Sequence, residues 1–261
     1  MIKLIATDMD GTFLDSQKQF SPEFLKLFYE LKDKDIKFVI ASGNQFYRLY
    51  QKFLPISEYM YFVAENGAYI SEGAQELYCN VIDPQTVDRV VEMLEDYPRV
   101  YAILCGKKCA YVLKDYYEYR NEVKKYYCNY SFLNSYDEID DDIMKIAIYD
   151  KHQKVNEIVD SIACQLPDDV KIVTSGNEWM DISNLDAHKG VGLQFLQMIY
   201  EIEPDECAAF GDQMNDFELL QQVKYGYAMS NAVQPIKDIA YEVIGSNDEQ
   251  SVIKKIKEII K

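Results

Sequence analysis

Residues 3–12 read KLIATDMDGT, a short apolar run followed by two aspartates and a glycine. Such a run is typical of a buried parallel strand. Because side chains alternate along a strand, the carboxylates of Asp8 and Asp10 are predicted to converge just beyond its carboxyl end. Gly11 allows the backbone to turn and to bring its N–H groups near an anion. Two close carboxylates repel each other unless a cation lies between them, so the stretch predicts a cation-dependent anion site.

The alternation of strands and helices around this stretch predicts the fold class. Strands are predicted at residues 36–41 and 61–64, and a helix precedes each of them. Ser21 is expected to cap the first helix and Pro22 to open it. The same rhythm returns in the last third of the chain, with a strand at residues 207–210. This order predicts an α/β fold with a doubly wound, mostly parallel, Rossmann-like core sheet.

The middle of the chain has a different pattern. Mostly hairpin-like strands and two helices predict a separate α+β domain inserted into the core. We expect residues 1–82 and 187–261 to form the core and residues 83–186 to form the inserted domain. A tyrosine-rich helical stretch at residues 115–127 either packs this domain's own helices or presents a surface on which sugars stack.

A second acidic motif, GDQMND at residues 211–216, also follows a short apolar strand. It places the oxygen-bearing side chains of Asp212, Asn215 and Asp216 within five residues. Oxygen ligands of this kind suit a hard cation such as Mg²⁺. The motif alone could instead be the N-terminal cap of a helix, but in combination with Asp8 and Asp10 it favours a metal site.

Two weaker signals complete the candidate site. Ser42 and Gly43 end the second strand, where a hydroxyl and backbone N–H groups can hold a phosphoryl oxygen, although serine also often caps a following helix. Lys189 begins the helix that returns to the core. An isolated lysine is usually a solvated charge, but an acidic pocket that handles a phosphate dianion needs a fixed cation.

The overall charge limits the classes of partner. The chain has 261 residues and a formal net charge of -17, which repels nucleic acids and anionic membranes. An anionic metabolite therefore needs local positive charge, for which a divalent metal is the obvious candidate. The start of the chain is unlike a signal peptide, its apolar runs are too short to span a bilayer, and its six cysteines are expected to be reduced. We therefore expect a cytoplasmic protein, whose oligomeric state the sequence leaves open.

Four segments resemble, in the family's order, the motifs of the haloacid dehalogenase-like phosphatase superfamily: DMDGT, Ser42-Gly43, Lys189-Gly190 and GDQMND. The resemblance covers essentially the whole chain. The large insertion between Ser42 and Lys189 is similar to the C2-type cap of the Cof-type sugar-phosphatase group. The resemblance thus implies a catalytic core and a cap domain that selects the substrate.

The resemblance also implies a mechanism. Asp8 would attack phosphorus to form an aspartyl-phosphate, and Asp10 would act as general acid and then general base. Mg²⁺ would be held by Asp8, the backbone carbonyl of Asp10, and Asp212. Asn215 and Asp216 would orient the metal shell, with Asp216 also a candidate partner for Lys189. The residues implied to contact the phosphoryl group are Gly11, Ser42, Gly43, Lys189 and Asn215.

The chain departs from the family pattern at one position. Relatives often carry an arginine directly after the glycine of the second motif, whereas this chain has Asn44 there and Arg48 about one helical turn further on. Substrate preference therefore stays open: sugar phosphates are expected, with pyridoxal phosphate, flavin mononucleotide or a broad range of phosphorylated metabolites as alternatives. The competing functions are a phosphomutase of the same superfamily, a non-catalytic phosphometabolite-binding protein and a phospho-receiver domain.

Overall fold

The computed structural model of the chain describes residues 1–261, with every side chain except that of residue 175. Its strands and α-helices follow one another as β1 (Leu4–Thr7), α1 (Glu23–Asp33), β2 (Lys37–Ala41), α2 (Phe46–Lys52), β3 (Tyr61–Ala64), β4 (Tyr69–Glu72), β5 (Gln75–Cys79), α3 (Pro84–Leu94), β6 (Val100–Gly106), β7 (Ala110–Leu113), α4 (Arg120–Tyr126), β8 (Tyr130–Leu133), β9 (Ile143–Asp150), α5 (Val159–Ala163), β10 (Val170–Ser175), β11 (Trp179–Asn184), α6 (Lys189–Ile199), β12 (Cys207–Gly211), α7 (Phe217–Gln221), β13 (Tyr225–Ala228), α8 (Gln234–Ile239), β14 (Glu242–Val243) and α9 (Ser251–Ile259). The chain divides into two compact units, one of Met1–Leu77 with His188–Lys261 and one of Tyr78–Ala187.

The first unit contains an eight-stranded sheet in the order β14-β13-β12-β1-β2-β3-β4-β5. Strand β1 pairs in parallel with β12 on one side and with β2 on the other. Although the pairing of β3 with β4 is antiparallel, these parallel pairings confirm the predicted mostly parallel, doubly wound sheet. Strand order reverses at β1, and the crevice beyond the carboxyl ends of strands at such a reversal is where α/β sheets bind ligands.

Helix α1 shows how the apolar pattern specifies the core. Its buried residues recur at helical spacing and belong to one face: Phe24, Leu27, Phe28 and Leu31. The helix begins one residue later than the sequence suggested, because Pro22 occupies the capping position. The Ser21 hydroxyl still accepts a hydrogen bond from the Glu23 N–H at 3.2 Å, so it satisfies one of the N–H groups that a helix start leaves without an intrahelical partner.

A cluster of phenylalanine rings anchors the segment that follows the DMDGT motif. The Phe13 ring lies 4.7 Å from the Phe24 ring, centroid to centroid, and the Phe24 ring lies 4.9 Å from the Phe38 ring. Phe13 directly follows the motif, Phe24 lies on α1 and Phe38 lies on β2. The turn that carries Asp8 and Asp10 is therefore tied to the hydrophobic core immediately after it leaves β1.

The second unit contains a six-stranded sheet in the order β10-β11-β9-β6-β7-β8. Helix α3 contributes Val90 to an apolar cluster with Leu104 and Ile146. The tyrosine-rich stretch is only partly α-helical: a 3₁₀ turn at Lys114–Tyr119 precedes α4. The rings of Tyr116 and Tyr119 lie 4.5 and 4.3 Å from the ring of Tyr101 on β6, so these two tyrosines pack within the unit.

Among the described residues, none of the helices combines the length and the apolar character that crossing a bilayer requires.

Replacing Phe24 by alanine should destabilise the core strongly, because the ring is 0% exposed and contacts other phenylalanine rings. We expect Phe24→Ala to lower the free energy of unfolding by about 3–5 kcal/mol. Urea denaturation followed by circular dichroism measures this loss. Leu25→Ala is the matched control, since Leu25 is the next residue of the same helix and is 36% exposed. Equal losses in the two variants would contradict the proposed role of the ring cluster.

Candidate active site

Three neighbouring strands of the core sheet end in polar residues that the sequence singled out. Asp8 follows β1, Ser42 follows β2, and Asp212 follows β12. These strands are parallel and β1 lies between the other two, so their carboxyl ends share one edge of the sheet. The predicted motif residues are therefore brought together at the reversal of strand order.

Three buried carboxylates meet at this edge. Asp8, Asp212 and Asp216 each offer an oxygen atom, and these oxygen atoms all lie within 4.8 Å of one another. Asp216 is fixed by two backbone hydrogen bonds, since its Oδ2 accepts the N–H of Asp212 at 2.8 Å and of Gln213 at 3.1 Å. Buried like charges repel, and a compact set of carboxylate oxygens is the donor type that a hard divalent cation binds. The cluster therefore fits a hard divalent cation by its chemistry.

Lys189 supplies the positive charge inside this cluster. Its Nζ lies 2.6 Å from Asp8 Oδ1 and 2.6 Å from Asp216 Oδ1, and the side chain is 0% exposed. The lysine is positioned by the start of α6, where His188 Nδ1 accepts the N–H of Val191 at 3.2 Å. The partnership of Lys189 with Asp216 that the sequence suggested is thus seen, and the same ammonium group also bonds the candidate nucleophile.

The pKa values of Asp8 and Lys189 are both raised, for different physical reasons. Burial raises the pKa of Asp8, the nearby carboxylates of Asp216 and Asp212 raise it further, and Lys189 opposes the rise. Burial alone would lower the pKa of Lys189, but the carboxylates of Asp216 and Asp8 raise it above its ordinary value. Lys189 therefore stays charged, whereas Asp8 tends to retain a proton until more positive charge arrives. A bound divalent cation would provide that charge.

The first motif also contacts Asp212 directly. Thr12 Oγ1 donates a hydrogen bond to Asp212 Oδ1 at 2.8 Å. A Cβ atom on Gly11, whose φ is 84°, would lie only 2.5 Å from Asp212 Oδ2. Glycine is therefore required here both for the left-handed backbone and for the close approach to a carboxylate. A backbone role for Gly11 was predictable from the sequence, whereas the contact of Thr12 with Asp212 is visible only in the three-dimensional structure.

The Asp10 carboxylate lies outside the three-carboxylate cluster. It pairs with Lys18, whose Nζ lies 2.8 Å from Oδ1, and it accepts a hydrogen bond from Asn44 Nδ2 at 2.9 Å. Although burial raises the pKa of Asp10, these two hydrogen bonds hold it below its ordinary value. Strand β1 ends at Thr7 and the chain then turns, so strand alternation does not extend to Asp10. Asp212 and Asp216 provide the carboxylates that form the buried cluster with Asp8.

Asn44, the departure from the family pattern, joins two parts of the site. Ser42 Oγ accepts hydrogen bonds from the Asn44 N–H at 3.2 Å and from its Nδ2 at 3.0 Å. With both lone pairs of Oγ in use, the Ser42 hydroxyl hydrogen is left to donate, as a contact to a phosphoryl oxygen requires. Because the same Asn44 amide nitrogen bonds Asp10, it fixes the Ser42 loop relative to the turn of the first motif.

Asn215 contacts Asn66, a residue that lies outside the four sequence motifs. Its Nδ2 donates a hydrogen bond to Asn66 Oδ1 at 3.1 Å. Asn66 and Gly67 mark a turn in the sequence, and a side-chain role for Asn66 follows only from its neighbour in space. Similarly, nothing in the sequence around Lys18 signalled its pairing with Asp10.

Comparison with known proteins places the whole chain in one group. Residues 5–256 match the family model described as haloacid dehalogenase-like hydrolase. The chain is 34% identical over 262 residues to a 5-amino-6-(5-phospho-D-ribitylamino)uracil phosphatase of Escherichia coli, covering 100% of this chain and 97% of that protein. A phosphatase with the same substrate name from Bacillus subtilis is 27% identical over 276 residues, covering 98% and 96% of the two chains.

Solved structures agree with this match. A crystal structure of a Streptococcus mutans protein superposes with a TM-score of 0.87 at 31% identity, covering 100% of this chain and 99% of that one. A protein from Eubacterium rectale, at 24% identity and a TM-score of 0.89, shares the fold over 99% of each chain.

The raised pKa of Asp8 predicts how stability depends on pH in the metal-free protein. Burial raises this pKa from 3.8 to about 8 in the folded protein, so the folded state binds a proton more tightly than the unfolded state. Asp8 should therefore lower the free energy of unfolding as pH rises from about 4 to about 8, by up to about 1.4 kcal/mol per pH unit.

Urea denaturation in EDTA, repeated across this pH range for the wild type and Asp8→Asn, isolates the contribution of one carboxyl group. The stability of the wild type relative to Asp8→Asn should fall with rising pH. A difference that is constant, or that grows with pH, would rule out a raised pKa at Asp8.

Proposed function

The chain belongs to the haloacid dehalogenase-like hydrolase family and is a phosphatase, and from this premise we propose that it hydrolyses a small phosphorylated metabolite through a covalent aspartyl-phosphate on Asp8. The observation that carries the proposal is the buried cluster of Asp8, Asp212 and Asp216, bridged by Lys189 at the carboxyl ends of the central strands. The cluster combines a nucleophile, a fixed cation and the oxygen ligands for a metal.

Asp8 is the nucleophile. One carboxylate oxygen attacks phosphorus, the bond from phosphorus to the leaving oxygen breaks, and an acyl phosphate remains on Asp8. Lys189 holds Asp8 Oδ1 at 2.6 Å, which fixes the carboxylate and stabilises its charged form. The Ser42 hydroxyl and the Lys189 ammonium then hold oxygens of the phosphoryl group as charge shifts during transfer.

The metal site uses residues already in place. Asp8, Asp212 and the backbone carbonyl of Asp10 would hold Mg²⁺, with Asp216 and Asn215 orienting the surrounding ligands. When bound there, Mg²⁺ would screen the Asp8 carboxylate from the incoming dianion and would stabilise charge on the phosphoryl oxygens. Thr12 and Gln213 orient Asp212 by donating hydrogen bonds to its two carboxylate oxygens, at 2.8 and 3.2 Å.

Asp10 is the general acid and base. Its side chain is 44% exposed and therefore accessible to a leaving group. In the protonated form it gives its proton to the departing alkoxide, and as a carboxylate it then takes a proton from the water that attacks the acyl phosphate. Between these two proton transfers, Lys18 and Asn44 hold the Asp10 carboxylate in place through their hydrogen bonds.

The inserted domain is proposed to select the leaving group. Residues 83–186 would act as the cap and residues 1–82 with 187–261 as the catalytic core, as in the family that the motifs resemble. The Escherichia coli and Bacillus subtilis relatives are named for 5-amino-6-(5-phospho-D-ribitylamino)uracil. That compound carries its phosphate on a ribityl chain, so we propose a phosphorylated sugar or polyol chain as the substrate class.

A phosphate-release screen tests the activity. We expect Mg²⁺-dependent release from this ribityl phosphate or a related sugar phosphate, and no release with Asp8→Asn or with EDTA. Pyridoxal phosphate, flavin mononucleotide and nucleotides complete the panel. Asp33→Asn is the matched control, because Asp33 is an exposed aspartate at the end of α1. Release that survives in Asp8→Asn would refute the covalent mechanism, and the absence of release from every compound would favour a mutase or a binding protein.

Asp10→Asn separates the acid and base steps from metal binding. The substitution should lower kcat for an alkyl phosphate by about 10²–10⁴-fold, while the dependence on Mg²⁺ is retained because the backbone carbonyl is unchanged. With p-nitrophenyl phosphate, whose leaving group needs no proton, the variant should release a burst of p-nitrophenol equal to the enzyme concentration and then slow down. Equal impairment with both substrates and no burst would argue against the assignment of Asp10.

A further inference from the structure

The turn Glu65–Gly67 has no step in the proposed mechanism, yet its backbone is bonded to the Ser42 loop. The Asn66 N–H donates to the Ser42 carbonyl oxygen at 3.0 Å, and the Glu65 N–H donates to the Asn44 carbonyl oxygen at 3.2 Å. The turn follows β3 directly, and β3 is the parallel neighbour of β2. It therefore lies at the same edge of the sheet as the candidate active site.

The same turn packs against the start of the helix that carries Lys189. Gly67 has a φ of 101°, and a Cβ atom there would lie 2.3 Å from the backbone oxygen of His188. His188 caps α6, and Lys189 is the first residue of that helix. The approach of the turn to α6 is thus as close as a glycine permits.

The Asn66 side chain is held on two sides. Its backbone is left-handed, with φ 54° and ψ 31°, a conformation that asparagine tolerates better than most residues do. A Cβ atom on Gly43 would lie 3.0 Å from both the oxygen and the nitrogen of the Asn66 amide, so this amide packs against the second motif. On its other side, Asn66 Oδ1 accepts the hydrogen bond from Asn215 Nδ2.

We propose that Asn66 is a positioning residue for the phosphatase reaction, acting by fixing the rotation of the Asn215 carboxamide. A carboxamide has one donor side and one acceptor side. Because the donor side of Asn215 is bonded to Asn66, the carbonyl oxygen of Asn215 is left as the acceptor that the proposed metal shell would use. Rotation by half a turn would set the two carbonyl oxygens of Asn66 and Asn215 against each other. This inference rests on the proposed function, since it assigns Asn66 a role through Asn215.

The decisive variant is Asn66→Gly, which removes the amide and keeps the turn, because glycine adopts the left-handed backbone without strain. We expect kcat to fall about 10-fold with little change in KM, since partners that orient metal ligands typically contribute 10–100-fold. The Mg²⁺ concentration that gives half of the metal-induced rise in Tm should increase about 10-fold as well. This second readout does not depend on turnover.

Two further variants test whether the acceptor oxygen is responsible. Asn66→Asp keeps an oxygen in place of Oδ1 and should retain most of the wild-type kcat and Mg²⁺ midpoint. Glu201→Gly is the matched control for backbone freedom: Glu201 also has a left-handed φ, 52°, but it lies in the exposed connection before the amino end of β12. It should leave both readouts unchanged.

The Asn215→Ala background provides a double-mutant cycle. If Asn66 acts through Asn215, Asn66→Gly should have no further effect on kcat or on the Mg²⁺ midpoint once Asn215 is alanine. Full additivity of the two substitutions would overturn the proposal. So would wild-type behaviour of Asn66→Gly, or equal losses in Asn66→Gly and Asn66→Asp.

Failure of the proposed function has a different signature. If the wild type releases no phosphate from any substrate, the phosphatase mechanism is refuted, and the Mg²⁺ midpoints still decide the role of Asn66. An unchanged midpoint in Asn66→Gly then overturns the inference, and a raised midpoint that Asn66→Asp restores supports it. Should Asn66→Gly fail to fold, Asn66→Ala, which also removes the carboxamide, takes its place in the same comparison in the two Asn215 backgrounds.

Discussion

The repulsion among the buried carboxylates of Asp8, Asp212 and Asp216 is the constraint on which the rest of the site depends. A single ammonium group, that of Lys189, lies between two of them and leaves the cluster short of positive charge. The fold maintains this unfavourable arrangement because β1, β12 and α6 are fixed by pairing and packing elsewhere. In the proposed function, this deficit of positive charge favours a divalent cation, through which an acidic protein would gain a local site for an anion.

Much of the core could be predicted because its strands are short apolar runs that end directly at polar motifs. Strand β3 begins and ends where the sequence suggested, and β2 begins one residue later. Strand β14 was missed because it has only two residues and both are exposed, so it leaves no apolar pattern. Strand β8 was missed because its tyrosine and phenylalanine continue the aromatic stretch before it, where period-2 and helical patterns are hard to separate. In each case the strand depends on its neighbour in the sheet more than on its own residues.

The candidate site was likewise predictable only in part. The residues that carry charge in the cluster were predictable, since Asp8, Asp212, Asp216 and Lys189 occupy motifs at strand ends and at a helix start. The partners of Asp10 were not, because Lys18 and Asn44 reach it only after the chain has turned. Local spacing therefore identified the charged groups that form the cluster. The contacts that orient those groups come from residues distant in sequence, as with Thr12 and Asp212, or Asn66 and Asn215.

The position of the inserted unit in the chain has a consequence for biosynthesis. Asp8 precedes Lys189 by 181 residues, and β1 pairs with β12 at Leu4 and Cys207. On the ribosome, the first strand of the core is therefore made long before the strand and the lysine that complete its surroundings. The continuous segment Tyr78–Ala187 has its own hydrophobic core and emerges complete in that interval. Because domains generally fold as units during synthesis, we expect the acidic cluster to be assembled only after this segment has folded, and a truncated chain carries Asp8 without its charge partner Lys189.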